Sequence, residues 1–163
     1  MQTLWAPWRM DYILGKKAEG CIFCLFPAEE HDAQNLILGR TRHSFVMLNR
    51  FPYNNGHLMV IPRHHCCDLR KLDDEQLLDL HRLLSTSIDV LARAANPEGL
   101  NIGMNLGKVA GAGIDEHLHY HLVPRWNGDT NFMPVLAETR VMVEHLDAAW
   151  QRLRPLFDEA LGG

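Results

Sequence analysis

The chain has 163 residues, 47% of them hydrophobic and 22% charged, which is the size and composition of one globular domain with its own core. Its formal net charge of −4 at pH 7 argues against electrostatic binding of nucleic acid over a broad surface. A few local cations and backbone amides would still suffice to bind a small anion. No apolar run approaches the ~20 residues that cross a bilayer, and residues 1–8 lack the charged start of a signal peptide, so we expect no membrane contact and a cytoplasmic location.

The first part of the chain predicts an irregular segment followed by two strands. Residues 1–20 follow no regular pattern, and their aromatic side chains could anchor them to the domain or to a partner subunit. Residues 41–49 and 56–61 are rich in strand-forming side chains. The link between them ends in Asn54-Asn55-Gly56, whose residues tolerate a positive φ, so we expect the two strands to pair antiparallel.

A long helix is predicted over residues 73–95. Asp73 suits the N-cap position, and acidic residues follow it in the first turn, where the helix dipole favours negative charge. Leucine and isoleucine then recur at helical spacing and form an apolar stripe. Asn96-Pro97 ends the helix because proline cannot continue it.

The second half predicts two more strands, over residues 100–106 and 118–123, and a helix over residues 143–161 that is bent or interrupted at Pro155. Helices and strands are mixed along the chain rather than alternating. The predicted fold class is therefore α+β, with an antiparallel β-sheet, a long central helix and a C-terminal helix in a single domain over residues 1–163.

Three histidines, His117, His119 and His121, recur at two-residue spacing and alternate with large apolar side chains. Because successive side chains of a strand point to opposite faces, this pattern predicts three imidazoles on one face, with successive Cα atoms roughly 6.5–7 Å apart. An imidazole nitrogen can attack phosphorus, and flanking imidazoles can donate to phosphate oxygens or protonate a leaving oxygen. We therefore predict an active site with His119 in the middle; the alternative is a solvated edge or a metal half-site.

The triad resembles the signature of the histidine triad (HIT) superfamily of nucleotide hydrolases and nucleotidyl transferases. Further matching blocks, some of them similar to the bacterial branch that contains diadenosine tetraphosphate phosphorylases, are residues 5–9, 21–24, 45–49, 56–65 and 124–132. The resemblance implies the HIT fold and cleavage of dinucleoside polyphosphates at an α-phosphate through a covalent nucleotidyl-histidine intermediate. It favours phosphorolysis slightly over hydrolysis.

The same resemblance implies roles for individual residues. His119 matches the nucleophile, and His121 matches a phosphate contact that could also donate a proton. His57 matches a fourth site histidine on a neighbouring strand, although it could instead be a satisfied histidine of the sheet. Asn49 matches the position of a ribose contact, and His117, the other flanking ring, is a candidate substrate contact.

The glycine-rich residues 107–113 predict a phosphate-binding loop. The backbone amides around Gly111 and Gly113 could form a nest for phosphate oxygens, but the stretch could equally be a flexible hairpin connection. Many members of the family carry Ala-Gly-Gln before the triad, whereas this chain has no glutamine there and one residue more. Asn105 and Lys108 are the candidates for the missing contact, and Arg125 could add positive charge or be a solvated residue at the strand end.

Cys21 and Cys24 have the two-residue separation that suits a tetrahedral Zn²⁺ site, and disulfides are not expected in a cytosolic chain. The resemblance to zinc-bearing family members adds His65 and His117 as the other two ligands, with His64 as a competitor for His65. Such a zinc would be structural and would pin the N-terminal segment to the sheet. The alternative is a pair of buried thiols. The adjacent Cys66 and Cys67 are interpreted as packing residues or bystanders.

The leading functional prediction is nucleotidyl transfer from a nucleotide or dinucleoside polyphosphate, with Mg²⁺ that could accompany the polyphosphate. One alternative is a metal-dependent nucleotide hydrolase in which the triad itself holds a catalytic metal. Another is a nucleotide-binding sensor without catalysis. The family commonly pairs, so we also expect a homodimer, and we expect no nucleic-acid partner.

Overall fold

The computed structural model describes residues 20–129 and 144–162. A five-stranded antiparallel sheet has the order β1-β2-β3-β5-β4. Its strands are β1 (Ile37–Arg40), β2 (Ser44–Leu48), β3 (Leu58–Pro62), β4 (Gly99–Gly103) and β5 (Tyr120–Arg125). The α-helices are α1 (Ile22–Leu25), α2 (Asp32–Asn35), α3 (Asp74–Ala95) and α4 (Leu146–Leu161). Three 3₁₀ turns cover Phe26–Ala28, Leu69–Lys71 and Lys108–Ala110.

Helix α3 begins with a capping box formed by Asp73 and Gln76. The Asp73 side chain accepts from the Gln76 N–H, and the Gln76 side chain accepts from the Asp73 N–H, so two amides at the helix start are satisfied. The helix ends at Asn96, which adopts the left-handed conformation with φ of 43°. Its apolar face packs on β2 and β3, while α4 packs on α3 and β1.

Each face of the sheet buries its own apolar cluster. The larger cluster lies under α3 and α4 and includes Leu80, Leu83, Leu91, Leu153 and Phe157. The smaller one lies on the opposite face, where Phe23 of α1 packs with side chains of the first three strands: Ile37, Phe45, Met47, Met59 and Ile61. On this second face, helix α1 therefore covers the part of the sheet that β1, β2 and β3 form.

The register of the sheet decides which residues surround the triad. His121 pairs with Met59 of β3 on one side and with Gly103 of β4 on the other. Directly paired residues of antiparallel strands share a face, so all three lie on the face opposite α3. A Cβ added to Gly103 would meet no atom within 4 Å, so the sheet is open next to His121.

The α+β class, the antiparallel sheet, the long helix and the C-terminal helix are confirmed. Several predicted element bounds were wrong, and so was the alternative of a C-terminal helix interrupted at Pro155. Strand β4 ends at Gly103 rather than residue 106, and β5 begins at Tyr120 rather than residue 118. Helix α4 continues through Pro155, and Val143 lies outside the described residues. The four-residue β1 went unpredicted because it is too short to show a period.

Within the described ranges, no helix is long and apolar enough to cross a membrane. The predicted irregular segment over residues 1–20 lies outside the described residues except for Gly20, as do residues 130–132 of the block after the triad. The single domain over residues 1–163 stays a prediction.

Candidate active site and metal site

His119, His121 and His57 form a continuous row of rings. The ring centroids of His119 and His121 lie 4.8 Å apart, and those of His121 and His57 lie 5.1 Å apart. His57 immediately precedes β3 and reaches its diagonal neighbour on β5, as the pairing of Met59 with His121 requires. Two nitrogens of this row are in hydrogen-bond contact, His57 Nε2 and His121 Nδ1, at 3.0 Å.

The His119 ring is oriented by the backbone just before it. His119 Nδ1 lies 2.9 Å from the His117 carbonyl oxygen. A carbonyl oxygen only accepts hydrogen bonds, so Nδ1 carries the proton and Nε2 of the neutral ring has a free lone pair. His119 is 5% exposed, and Phe23 packs against it with centroids 5.1 Å apart. The ring therefore presents a nucleophilic nitrogen in a nearly water-free setting.

Burial keeps the imidazoles of this row neutral. Burial, together with the smaller effects of the neighbouring His121 and His119 rings, lowers the pKa of His57 to about 3. Burial and His119 lower the pKa of His121 to about 4. The pKa of His119 is also lowered by burial, although its bond to the His117 carbonyl opposes the shift. At neutral pH the three rings are therefore uncharged, which is the state in which imidazole acts as a nucleophile.

His117 takes a different direction from the other two triad residues. It precedes the first residue of β5, and its Nε2 donates to the Pro62 carbonyl oxygen at 2.8 Å. Its Nδ1 lies 3.2 Å from Cys21 Sγ and 3.6 Å from Cys24 Sγ. Both nitrogens of His117 are thus engaged on the side away from His121. His117 was predicted both as a substrate contact and as a metal ligand, and the structure places it beside Cys21 and Cys24.

Cys21, Cys24, His65 and His117 form a compact cluster in which one ligand atom of each lies within 4.8 Å of all the others. Cys24 Sγ and His65 Nδ1 are 3.3 Å apart. In a tetrahedral Zn²⁺ site, with bonds of about 2.3 Å to sulfur and about 2.0 Å to nitrogen, neighbouring ligand atoms are about 3.5 Å apart.

The spacing and the chemistry of this cluster fit zinc. The Pro62 carbonyl bonded to His117 Nε2 supplies the outer contact that typically orients a metal-bound imidazole. All four cysteines of the chain are free thiols, so Cys21 and Cys24 are available as ligands.

The other predicted substrate residues lie at the ends of strands and in the loop before β5. Asn49 follows β2, and its Oδ1 accepts from the Phe51 N–H at 2.9 Å. Gly111 adopts a φ of +93°, which a side chain would strain, and a Cβ there would lie 3.8 Å from Asn105 Nδ2. Lys108 is exposed and lies 3.9 Å from Asp115 Oδ2. Gly113 is exposed in the same loop.

Four residues of the site were not predicted from the sequence: Phe23, Tyr53, Asn54 and Gly103. Phe23 separates the thiol cluster from His119, with ring centroids 5.6 Å from His117 and 5.1 Å from His119. The Tyr53 ring packs against the His57 ring in a tilted arrangement, with centroids 4.7 Å apart. The positions of these four residues depend on strand register and on the path of the loop before β3, which the sequence does not show. The one signal in the sequence was that Tyr53 and Asn54 come shortly before His57.

A family model described as HIT domain matches residues 30–128. The chain belongs to the HIT family. This HIT protein is 34% identical over 155 residues to a Mycobacterium tuberculosis (strain ATCC 25618 / H37Rv) protein named AP-4-A phosphorylase, a match that covers 90% of this chain and 79% of the relative. It is also 32% identical over 107 residues to an adenosine 5′-monophosphoramidase of Schizosaccharomyces pombe, which covers 66% of this chain and 75% of that one.

The fold of this HIT protein is similar to that of a Zn-bound histidine triad family protein from Mycobacterium smegmatis. The two superpose with a TM-score of 0.67 at 22% sequence identity, and the match covers 88% of this chain and 96% of the other.

Proposed function

We propose that this HIT-family enzyme transfers a nucleotidyl group from a dinucleoside polyphosphate through a covalent intermediate on His119. The observation that carries the proposal is the hydrogen bond from His119 Nδ1 to the His117 carbonyl, because it leaves the lone pair of Nε2 free for attack. The relative named AP-4-A phosphorylase supports this substrate class.

The first step forms a bond between Nε2 and the α-phosphorus and breaks the anhydride bond to the rest of the polyphosphate. With diadenosine tetraphosphate, ATP leaves as an anion and needs no proton. The phosphorylated His119 ring becomes a cation with its proton on Nδ1, and the His117 carbonyl oxygen at 2.9 Å stabilises that charge. His121, next in the row, is placed to donate to a phosphate oxygen.

In the second step an acceptor attacks the same phosphorus, the N–P bond breaks, and His119 returns to its neutral form. Inorganic phosphate as the acceptor gives ADP. Water as the acceptor gives AMP and releases a proton to solvent. We propose phosphorolysis, supported by the name of the 34% identical relative, and we propose Asn49, Asn105, Lys108, Gly111 and Gly113 as further substrate contacts.

We also propose a structural zinc held by Cys21, Cys24, His65 and His117. When bound, it would supply a cross-link between α1, the segment after β3 and the segment before β5. Among the described residues this is the one group of three or more potential ligands that is compact enough, and it excludes His119 and His121. This separation supports a catalytic role of the triad without a metal on its middle ring. Mg²⁺ carried by the substrate stays a prediction.

The remaining proposals concern location and assembly. Four free thiols, two of them suited to metal, fit a reducing compartment, so we propose a cytoplasmic location. We propose a homodimer and a single domain over residues 1–163, which sedimentation and limited proteolysis would test.

The decisive experiment incubates the protein with diadenosine tetraphosphate, with and without inorganic phosphate, and separates the products. We expect ATP and ADP when phosphate is present, and no turnover by His119→Ala. His31→Ala, at an exposed histidine ahead of α2, is the matched control and should keep full activity. A substrate labelled at the α-phosphorus, quenched without acid, should leave label on His119. An active His119→Ala variant would refute the covalent route.

A further inference from the structure

The backbone before β3 contacts the row of imidazoles at its far end. The Tyr53 N–H donates to His57 Nδ1 at 3.0 Å. The opposite nitrogen of the same ring, Nε2, lies 3.0 Å from His121 Nδ1. A backbone amide, His57 and His121 are therefore linked by two consecutive hydrogen bonds that run towards the open side of the sheet.

The first bond determines where the protons of both rings are. Because a backbone N–H can only donate, His57 Nδ1 must accept and cannot carry a proton. The proton of the neutral His57 ring is then on Nε2, which donates to His121 Nδ1. That nitrogen accepts, so the proton of neutral His121 is on Nε2. The low pKa values of both rings, about 3 and about 4, make the neutral forms the relevant ones.

The His121 Nε2–H ends this chain of hydrogen bonds and is available to a substrate. No hydrogen bond within residues 20–129 and 144–162 occupies this nitrogen, and Gly103, directly across from His121, leaves open space. A ring with the opposite proton arrangement would present a lone pair to the phosphate oxygens instead. The direction of the first hydrogen bond therefore decides whether His121 attracts or repels an anionic substrate.

Asn54 holds the amide of its neighbour in place. Its backbone carbonyl accepts from the His57 N–H at 3.2 Å. Its side-chain Nδ2 donates to the Pro124 carbonyl and to Asp129 Oδ2, both at 3.0 Å. Asp129 in turn accepts from Arg125, so the loop before β3 is tied to the end of β5, the strand that carries His121.

We propose that the Tyr53 amide, held by Asn54, sets the proton positions of His57 and His121 and so makes His121 a hydrogen-bond donor to the substrate phosphate. Asn54 and the Tyr53 amide are positioning groups, because they act through His57. The inference deepens the proposed function, but its first test needs no substrate.

The test is nitrogen NMR of protein labelled with ¹⁵N-histidine, which distinguishes protonated from unprotonated ring nitrogens at pH 7.5. Signals are assigned by their loss in His57→Gln and His121→Gln. We expect the wild-type protein to carry the proton on Nε2 of both rings. A proton on Nδ1 of either ring would overturn the inference, whatever reaction the enzyme catalyses.

Two variants then test the loop. Tyr53→Pro removes the N–H and Asn54→Ala removes the side chain that ties the loop to β5, and in each we expect His57 and His121 to shift together towards the other tautomer. Asn127→Ala changes an exposed asparagine of the neighbouring turn and leaves the Tyr53 amide and the Asn54 side chain in place, so it should keep the wild-type ring signals. If Tyr53→Pro does not fold, Asn54→Ala decides. Unchanged tautomers in every folded variant among Tyr53→Pro and Asn54→Ala would overturn the role of the loop.

Kinetics provide the second measurement. Losing a donor to a developing oxyanion lowers kcat by about 100-fold. We expect kcat of Asn54→Ala on diadenosine tetraphosphate to fall about 10- to 100-fold, in proportion to the fraction of inverted rings. A large loss of kcat with wild-type tautomers would overturn the mechanism, whereas a wild-type enzyme that cleaves no nucleotide would refute the proposed function and leave the spectra to be judged separately.

Discussion

Lowering the pH should destabilise this protein through His57 in a measurable and specific way. His57 is fully buried, and the groups that face it are His121 and His119 on the site side and the Tyr53 ring and amide on the loop side. Burial and the two neighbouring imidazoles lower its pKa to about 3, against about 6.5 in an unfolded chain. The unfolded state therefore binds a proton in a pH range where the folded state does not.

The sign and the magnitude follow from proton linkage. A lowered pKa contributes stability that is fully present above about pH 6.5 and is lost as the pH falls towards about 3. Each pH unit inside this window removes about 1.4 kcal/mol per histidine. Between pH 7 and pH 5, His57 alone should therefore remove roughly 2 kcal/mol from the free energy of unfolding.

The assay is urea unfolding of the wild-type protein and His57→Gln, followed by circular dichroism at half-unit steps from pH 7 to pH 5. His117, His119 and His121 titrate in both proteins, and any bound metal is also common to both, so the difference between the two curves reports His57. The variant loses the His57 contacts and should be less stable at pH 7, but the gap should narrow by roughly 2 kcal/mol at pH 5. A gap that stays constant across this range would show that His57 is not held neutral by burial.

Three further outcomes follow from particular contacts. Cys24→Ser, or treatment with a strong chelator, should lower the thermal unfolding midpoint of a zinc-loaded sample by many degrees, because a metal that binds only the folded protein adds its binding free energy to the stability of the fold. An unchanged midpoint after complete loss of zinc would contradict a structural role of this site. Gly103→Val should lower kcat/KM at least about 10-fold without lowering the free energy of unfolding, because the valine side chain would fill the open space next to His121. The control is Gly99→Val, whose side chain would also enter open space but beside Arg125, and it should keep wild-type kinetics. Asp73→Ala should remove about 1 kcal/mol in urea unfolding through loss of the capping box, and a change below the error of the method would argue against that cap.

Local chemistry explains why the helix α3 could be predicted from the sequence almost to the residue. Asp73 and Gln76 cap its start, and Asn96 in the left-handed conformation ends it before Pro97. These signals act over three or four residues, so tertiary contacts need not be known. Strand β1 is the opposite case, because Ile37–Arg40 is extended through its pairing with β2 and carries too few residues for a pattern.

In the site, too, the sequence predicted local geometry but not the contacts between distant parts of the chain. The two-residue spacing of the histidines correctly predicted that His119 and His121 would be neighbours, since that distance is a property of an extended backbone. It could not predict that β5 would begin only at Tyr120 and that His117 would bond to the Pro62 carbonyl, because that oxygen belongs to a strand 55 residues earlier in the chain.

The sequence by itself therefore determined the kinds of chemistry available: a histidine between two others, a pair of thiols at metal-ligand spacing, and an antiparallel α+β chain to hold them. Only the tertiary structure decided which nitrogen of each ring donates a hydrogen bond and which accepts one. The physical reason is that the proton position of an imidazole depends on the donor or acceptor placed beside each nitrogen. For His119, His57 and His117 that partner is a backbone group, whose position is a property of the folded chain rather than of any side chain in the sequence.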